Sequence, residues 1–229
     1  MKILHIDETF HPLYGYHTAP LIREQAKTNE VYIITVSEKQ LYPVYKEFGD
    51  EIYDLNNDII YEKETGAKIY RLKIKGYISG RAIYKKNVFK LIDEINPDII
   101  YCHLVESYIA IRLILKNKKY KIVFDSHMLS MATKNKFSKI YNFVYRLIVT
   151  PKIKKNNYTV IRMQDDSYVN EYLKIPTTNT PFISFGTDTY LFKENLDIKK
   201  KIKLSFLKII IYTLNLLPTI HFQAMIAEC

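Results

Sequence analysis

His127 stands two residues after Asp125 in Ile122-Val123-Phe124-Asp125-Ser126-His127, where an apolar run gives way to polar residues. A histidine in such a place can bind a phosphate or a hydroxyl, or move a proton near neutral pH. His103 follows a second apolar run, Asp98-Ile99-Ile100-Tyr101-Cys102, with Glu106 close behind, and could face His127 across a cleft. A histidine in either loop can equally serve as a hydrogen-bond partner for its neighbours. His103, Asp125 and His127 are of metal-ligating types, but their spacing is not that of a metal motif, so no metal and no cofactor is expected. Asp125-Ser126-His127 is not a hydrolase triad, because no G-x-S-x-G elbow occurs and adjacent strand residues point to opposite faces. Phe10-His11-Pro12-Leu13-Tyr14-Gly15-Tyr16 leads into a helix. Gly15 there can let a ligand approach the backbone, and the helix start favours anions or polar oxygens. The segment is neither a G-x-G-x-x-G fingerprint nor a P-loop, and a lone-glycine turn serves structure as readily as binding.

These residues need elements to hold them. Met1 to Asp7, Val31 to Val36, Ala67 to Lys73, Asp98 to Cys102, Lys121 to Asp125, Tyr158 to Arg162 and the short Phe182 to Ser184 read as strands. Helices are expected over His17 to Thr28, with Thr18 as cap and Pro20 in the first turn, and over Gly80 to Ile95, closed by Asn96-Pro97. Further helices are expected over Val105 to Leu115 and Asp165 to Leu173. Phe137, Ile140, Tyr141, Val144, Tyr145 and Ile148 trace one face of another. Strands alternating with helices imply parallel βαβ units, and apolar strands imply a sheet covered on both faces. The expected fold is a doubly wound α/β domain over residues 1 to 190. Ligands of such sheets bind beyond the carboxyl ends of the strands, where Gly15, His103 and His127 fall.

Composition narrows the function classes. The chain has 229 residues, 48% hydrophobic and 14% aromatic, which supports a buried core and excludes a disordered or collagen-like protein. Two cysteines, Cys102 and Cys229, give no disulfide framework and suit a reducing compartment. The N-terminal apolar run is too short for a signal peptide, so a cytoplasmic location is expected. A net charge of +10 comes mostly from lysines in small groups. It fits a solvated surface, peripheral contact with the inner face of an anionic membrane, or phosphate ligands. No nucleic-acid motif accompanies it, so no nucleic-acid partner is expected.

Four stretches in order resemble the N-terminal half of a GT-B glycosyltransferase of family 4. They are Met1 to Ile6 through Pro12-Leu13-Tyr14-Gly15-Tyr16, Asn96 to His103, Ile122 to His127, and Phe182-Ile183-Ser184-Phe185-Gly186-Thr187-Asp188 with Leu191-Phe192. The resemblance implies transfer of a sugar from a nucleotide-sugar donor to an acceptor hydroxyl, in surface glycan or glycolipid synthesis. It assigns His127 the contact with the transferred sugar, with Asp125 beside it. Gly15 and Tyr16 would approach donor phosphates or acceptor, His103 and Glu106 would line the acceptor side, and Gly186 and Asp188 would belong to the interdomain crossing. Many relatives carry a second glycine where this chain has Tyr16.

Residues 191–229 are expected to form that crossing and an incomplete start of a second domain. Leu196 to Phe206 reads as a Lys-rich helix and Lys208 to Thr213 as a strand, but no glycine turn or E-x7-E follows. The expectation is an acceptor-side fragment, inactive alone. Ile209 to Ala227 lacks Asp, Glu, Lys and Arg, approaching a membrane-spanning length, though Asn215, Pro218, His221 and Gln223 weigh against insertion. The alternatives are a non-catalytic α/β module that binds a glycan or lipid-linked acceptor, one subunit of a split transferase with a separate donor-domain partner chain, and a small-molecule enzyme using His127 and Asp125 directly.

Overall fold

A computed structural model of the chain describes residues 1–13, 17–40, 55–117, 119–129 and 137–184. These all lie within the unit Met1–Asp188. Gly15, Tyr16, Gly186, Asp188 and everything expected of residues 191–229 lie outside the described residues.

The first strand, β1 (Lys2–Ile6), leads to α1 (Thr18–Ala26), β2 (Glu30–Val36), α2 (Leu55–Thr65) and β3 (Lys68–Leu72). A hairpin of β4 (Ile74–Ile78) and β5 (Arg81–Tyr84) precedes α3 (Asn87–Ile95), β6 (Ile99–Cys102), α4 (Tyr108–Lys116) and β7 (Lys121–Ser126). The described part closes with α5 (Ser138–Ile148), α6 (Thr150–Asn156), β8 (Thr159–Arg162) and the single turn α7 (Tyr168–Glu171). Six strands form one parallel sheet in the order β3-β2-β1-β6-β7-β8. The expected doubly wound α/β architecture is therefore present. The strand order reverses direction at β1 and β6, the place where such sheets open a crevice for ligands.

The sheet is apolar on both faces because both are covered. Leu4, Ile6, Ile34, Ile100 and Phe124 share a core with Val88 and Ile92 of α3 and Ile109 and Leu113 of α4. Ile3, Val31 and Ile33 pack on the other side against Ala19 and Ile22 of α1 and Tyr61 of α2. Each aliphatic side chain so enclosed contributes about 1.5–3 kcal/mol by leaving water. Helix α3 stops where Asn96 takes a left-handed φ of 48° and its N–H returns to the Ile92 carbonyl, before Pro97.

Several local expectations change. The helix expected from Gly80 begins only at Asn87, because Ser79 and Gly80 both adopt positive φ and turn β4 back onto β5. That pair of conformations suits a tight hairpin, and a helix cannot pass through it. Thr18 is not a cap but the first helical residue; His17 holds the cap position without a side-chain cap bond. Helix α4 starts three residues later than expected, where the Ser107 hydroxyl accepts the Ala110 N–H. Phe182 makes only an isolated bridge to Arg162 rather than a strand. Helix α5 lies where its periodicity predicts, yet most of the expected apolar stripe faces outward: Phe137, Ile140, Val144 and Ile148 are exposed while Tyr145 is buried, and Phe143 and Leu147, outside that stripe, are exposed as well.

Candidate functional site

Strands β1, β6 and β7 are adjacent, so the residues just past their ends converge. Asp125, near the end of β7, is wholly buried and forms the hub. One carboxylate oxygen, Oδ1, accepts the Leu104 N–H at 2.8 Å, and Oδ2 pairs with His103 Nδ1 at 2.7 Å. His127 Nε2 lies 3.2 Å from Oδ1, and His17 Nε2 lies 3.8 Å from Oδ2. The rings of His17 and His127 meet edge to face with centroids 4.6 Å apart. Of the three imidazoles around Asp125, that of His127 is the most accessible, at 13% side-chain exposure.

A further chain of contacts runs inward from His103. Its Nε2 is 3.1 Å from His5 Nδ1, and His5 Nε2 is 2.7 Å from the Gln25 side-chain oxygen. The Gln25 oxygen can only accept, so His5 carries its proton on Nε2 and its Nδ1 accepts from His103. His103 thus donates Nε2–H to His5 and Nδ1–H to the Asp125 carboxylate, carrying both protons as an imidazolium. Burial pushes His5 down to about 3, with the neighbouring His103 adding to the effect, so His5 is neutral. Burial also opposes charge on His103, but Asp125 overrides this and raises its pKa. Burial likewise disfavours charge on Asp125, yet His103, His127 and His17 together hold its carboxyl well below the ordinary range.

Carboxylates border the cluster. Glu106 is buried and accepts the Ser126 hydroxyl through Oε1, and its backbone carbonyl accepts the Tyr141 hydroxyl. Glu8, past β1, is 4% exposed and takes the Ala82 N–H at 3.0 Å. Burial raises both acids, Glu8 to about 7. Arg81, on the hairpin, lowers both in opposition. This sheet edge presents carboxylates and imidazoles, groups that hydrogen-bond hydroxyls well.

The structure thus brings together His103, Asp125 and His127 as one hydrogen-bonded group, with Glu106 one residue removed through Ser126. Sequence reasoning did not single out His5, His17, Gln25, Glu8 or Arg81. The signal for His17 was its place at the opening of a helix after β1. His5 lies inside a strand and becomes relevant only through the register that sets it opposite Tyr101, beside His103.

Residues 51–159 match a family described as glycosyl transferase 4-like. No curated protein matches the chain. Among solved structures, a sucrose-phosphate synthase from Thermosynechococcus elongatus shares the fold with a TM-score of 0.53 at 14% identity, over 88% of this chain and 52% of that one. A glycosyltransferase from Rickettsia africae ESF-5 matches with a TM-score of 0.47 at 15% identity, over 90% of this chain and 49% of that one. The chain spans about half the length of these structures.

Proposed function

We propose, from a glycosyl transferase 4-like segment set in a GT-B-like N-terminal fold, that this chain is the acceptor-side part of a sugar transferase. The reaction breaks the bond between the anomeric carbon and a nucleoside diphosphate oxygen and forms one to an acceptor hydroxyl, which loses its proton. His127 contacts the transferred sugar, Asp125 orients its ring, and Glu106 receives acceptor hydroxyls. His103 has both ring nitrogens engaged inside the protein, so its part is to hold Asp125 in place. Gly15 and Tyr16 border the donor. The observation that carries this reading is the carboxylate and imidazole cluster at the β1/β6 switch point, rich in hydrogen-bonding groups for hydroxyls. Donor diphosphate contacts come from a second domain, and residues 1–190 alone do not transfer sugar.

Titration of the chain with UDP, GDP and simple glycosides tests this, followed through the His127 imidazole resonances by NMR. Glycosides at millimolar concentration should shift those resonances, and nucleotides should bind weakly. Micromolar nucleotide affinity, or resonances indifferent to every glycoside, would overturn the assignment.

The exposed face of α5 supports a surface-glycan or glycolipid setting on the inner face of the cell membrane. Phe137, Ile140, Phe143, Val144, Leu147 and Ile148 are exposed beside the exposed Lys139, Lys152, Lys154 and Lys155. An apolar stripe flanked by cations fits an anionic bilayer surface. No helix among the described residues is long and apolar enough to cross a membrane. Flotation with vesicles of anionic phospholipid should carry the chain, and Phe143→Ser with Leu147→Ser should release it. Binding to neutral vesicles alone, or a stable complex with a donor-domain chain through this face, would replace the membrane with another partner.

A further inference from the structure

We propose that His5 and Gln25 are positioning residues of the sugar site: their side chains keep His103 charged beside Asp125, and so set the pH range over which His127 holds a sugar. This role rests on the contact between His127 and the transferred sugar, whereas the charge of His103 is measurable without it.

His5 lies on the sheet face covered by α1, since Ile3 on the same face of β1 packs against Ala19 and Ile22. Register sets His5 opposite Tyr101, and both rings lie against that of His103, with centroids 5.4 and 4.4 Å from it. The His103 N–H donates to the Ile6 carbonyl at 2.9 Å, so β1 also fixes the backbone of this residue. Gln25 comes from outside the sheet: half-buried on α1, it places its side-chain oxygen 2.7 Å from His5 Nε2.

The relay has one direction. Gln25 accepts from His5 Nε2, which turns the lone pair of His5 Nδ1 toward His103 Nε2 at 3.1 Å. An aliphatic residue at position 25 removes the reason for that tautomer, and one at position 5 removes the acceptor itself. His103 Nε2–H is then left without its acceptor, and a buried imidazolium so placed gives up a proton more readily. The other groups around His103 do not replace that acceptor. Asp125 takes Nδ1, and Asp7 favours the charge only from a distance. His17 is disfavoured as a cation by burial, and Tyr101 is raised by burial and keeps its proton. With His103 neutral, Asp125 is a wholly buried carboxylate without its cation. It then competes for a proton on His17 and His127, and the ring that meets the sugar changes its donors. The seating of α1 on the sheet thereby controls the charge of a site whose sugar contact comes from the loop after β7.

The experiment is nitrogen-15 NMR of the histidine side chains of the full chain through a pH series, beside His5→Leu, Gln25→Leu and the pair His5→Asn with Gln25→Leu. Folding of each variant is checked by circular dichroism. Asparagine sets an amide oxygen where Nδ1 of His5 stood and needs nothing from Gln25. In the wild-type chain at neutral pH, His103 should hold a proton on both nitrogens and His5 a single proton, on Nε2. The titration midpoint of His103 should drop by about one to two pH units in either Leu variant, the worth of one charge-assisted hydrogen bond, and return in the pair. Between the wild-type and variant midpoints, glycoside affinity read from the His127 resonances should be weaker in the Leu variants by about threefold or more. Below both midpoints it should equal that of the wild-type chain, whereas a packing lesion would weaken binding at every pH. A wild-type His103 with its lone pair on Nε2, or a midpoint unmoved in Gln25→Leu, would overturn the relay. Equal glycoside affinity between the midpoints would overturn the positioning role. A wild-type chain indifferent to every glycoside overturns the sugar site and the positioning role with it, a failure the nitrogen spectra distinguish from failure of the relay. Should the variants not fold, the wild-type spectra decide: an imidazolium at His103 beside a neutral His5 protonated on Nε2 supports the relay, and any other pattern removes it.

Discussion

Replacing Glu8 by Gln should remove a pH dependence of stability that the wild-type chain carries between about pH 4.5 and 7. Glu8 is 4% exposed; Oε2 accepts the Ala82 N–H, and Oε1 has no hydrogen-bond partner among the described residues. Burial is the main reason its carboxyl rises from 4.5 to about 7; Asp7 adds to the shift, while the Ala82 N–H and Arg81 oppose it. Tyr84 and Cys102 also face it, and both are raised by burial, so neither brings a charge in this range. Below about pH 4.5 both folded and unfolded chains hold the proton. Between 4.5 and 7 the folded chain keeps a proton that the unfolded chain has lost, so stability falls as pH rises. The slope reaches about 1.4 kcal/mol per pH unit, and the whole window amounts to about 3 kcal/mol. Above 7 the contribution is flat. Glutamine keeps an acceptor for the Ala82 N–H and does not titrate. Urea unfolding at half-unit steps from pH 5 to 8 should therefore show the variant gaining on wild type by about 2–3 kcal/mol across the range. Parallel curves for the two proteins would refute the burial argument.

Asp125→Asn removes the charge that His103 faces in a buried pair and should cost about 3 kcal/mol, read from the urea midpoint at constant m-value. Leu4→Ala, in a fully buried position on the central strand, should cost about 2–5 kcal/mol by the same measurement. Leu147→Ser, at 61% exposure on α5, should change stability by less than about 0.5 kcal/mol while lowering vesicle binding, which separates a docking residue from a core residue.

The strands were legible because a parallel sheet covered on both faces writes itself as short, unbroken apolar runs, and Val31 to Val36 or Asp98 to Cys102 permit little else. The hairpin at Ser79-Gly80 was not, since Ile83 and Val88 also fit helical spacing and only the two positive φ angles decide against it. Helix α2 escaped notice because it opens on Leu55-Asn56-Asn57-Asp58, which reads as a loop, and it buries little beyond Asp58 and Tyr61. For α5 the periodicity located the helix but could not say which side of the stripe meets the core. At the site, Asp125, His103 and His127 were visible as residues past strand ends. His5, His17 and Gln25 join them only through strand register and the packing of α1 on the sheet, and neither is written in local spacing.

Central placement of β1 also imposes an order on assembly during synthesis. One of its edges is satisfied by β2, complete by residue 36, but the other waits for β6, which ends at Cys102. The β3-β2-β1 half can form once Leu72 has emerged. The thirty residues that follow take about 2–6 s at ribosomal rates of about 5–20 residues per second. For that interval this central strand offers an open row of N–H and C=O groups, a template for pairing with another nascent chain. Aggregation on overexpression should accordingly depend on translation speed between codons 72 and 102 more than on the stability of the finished domain.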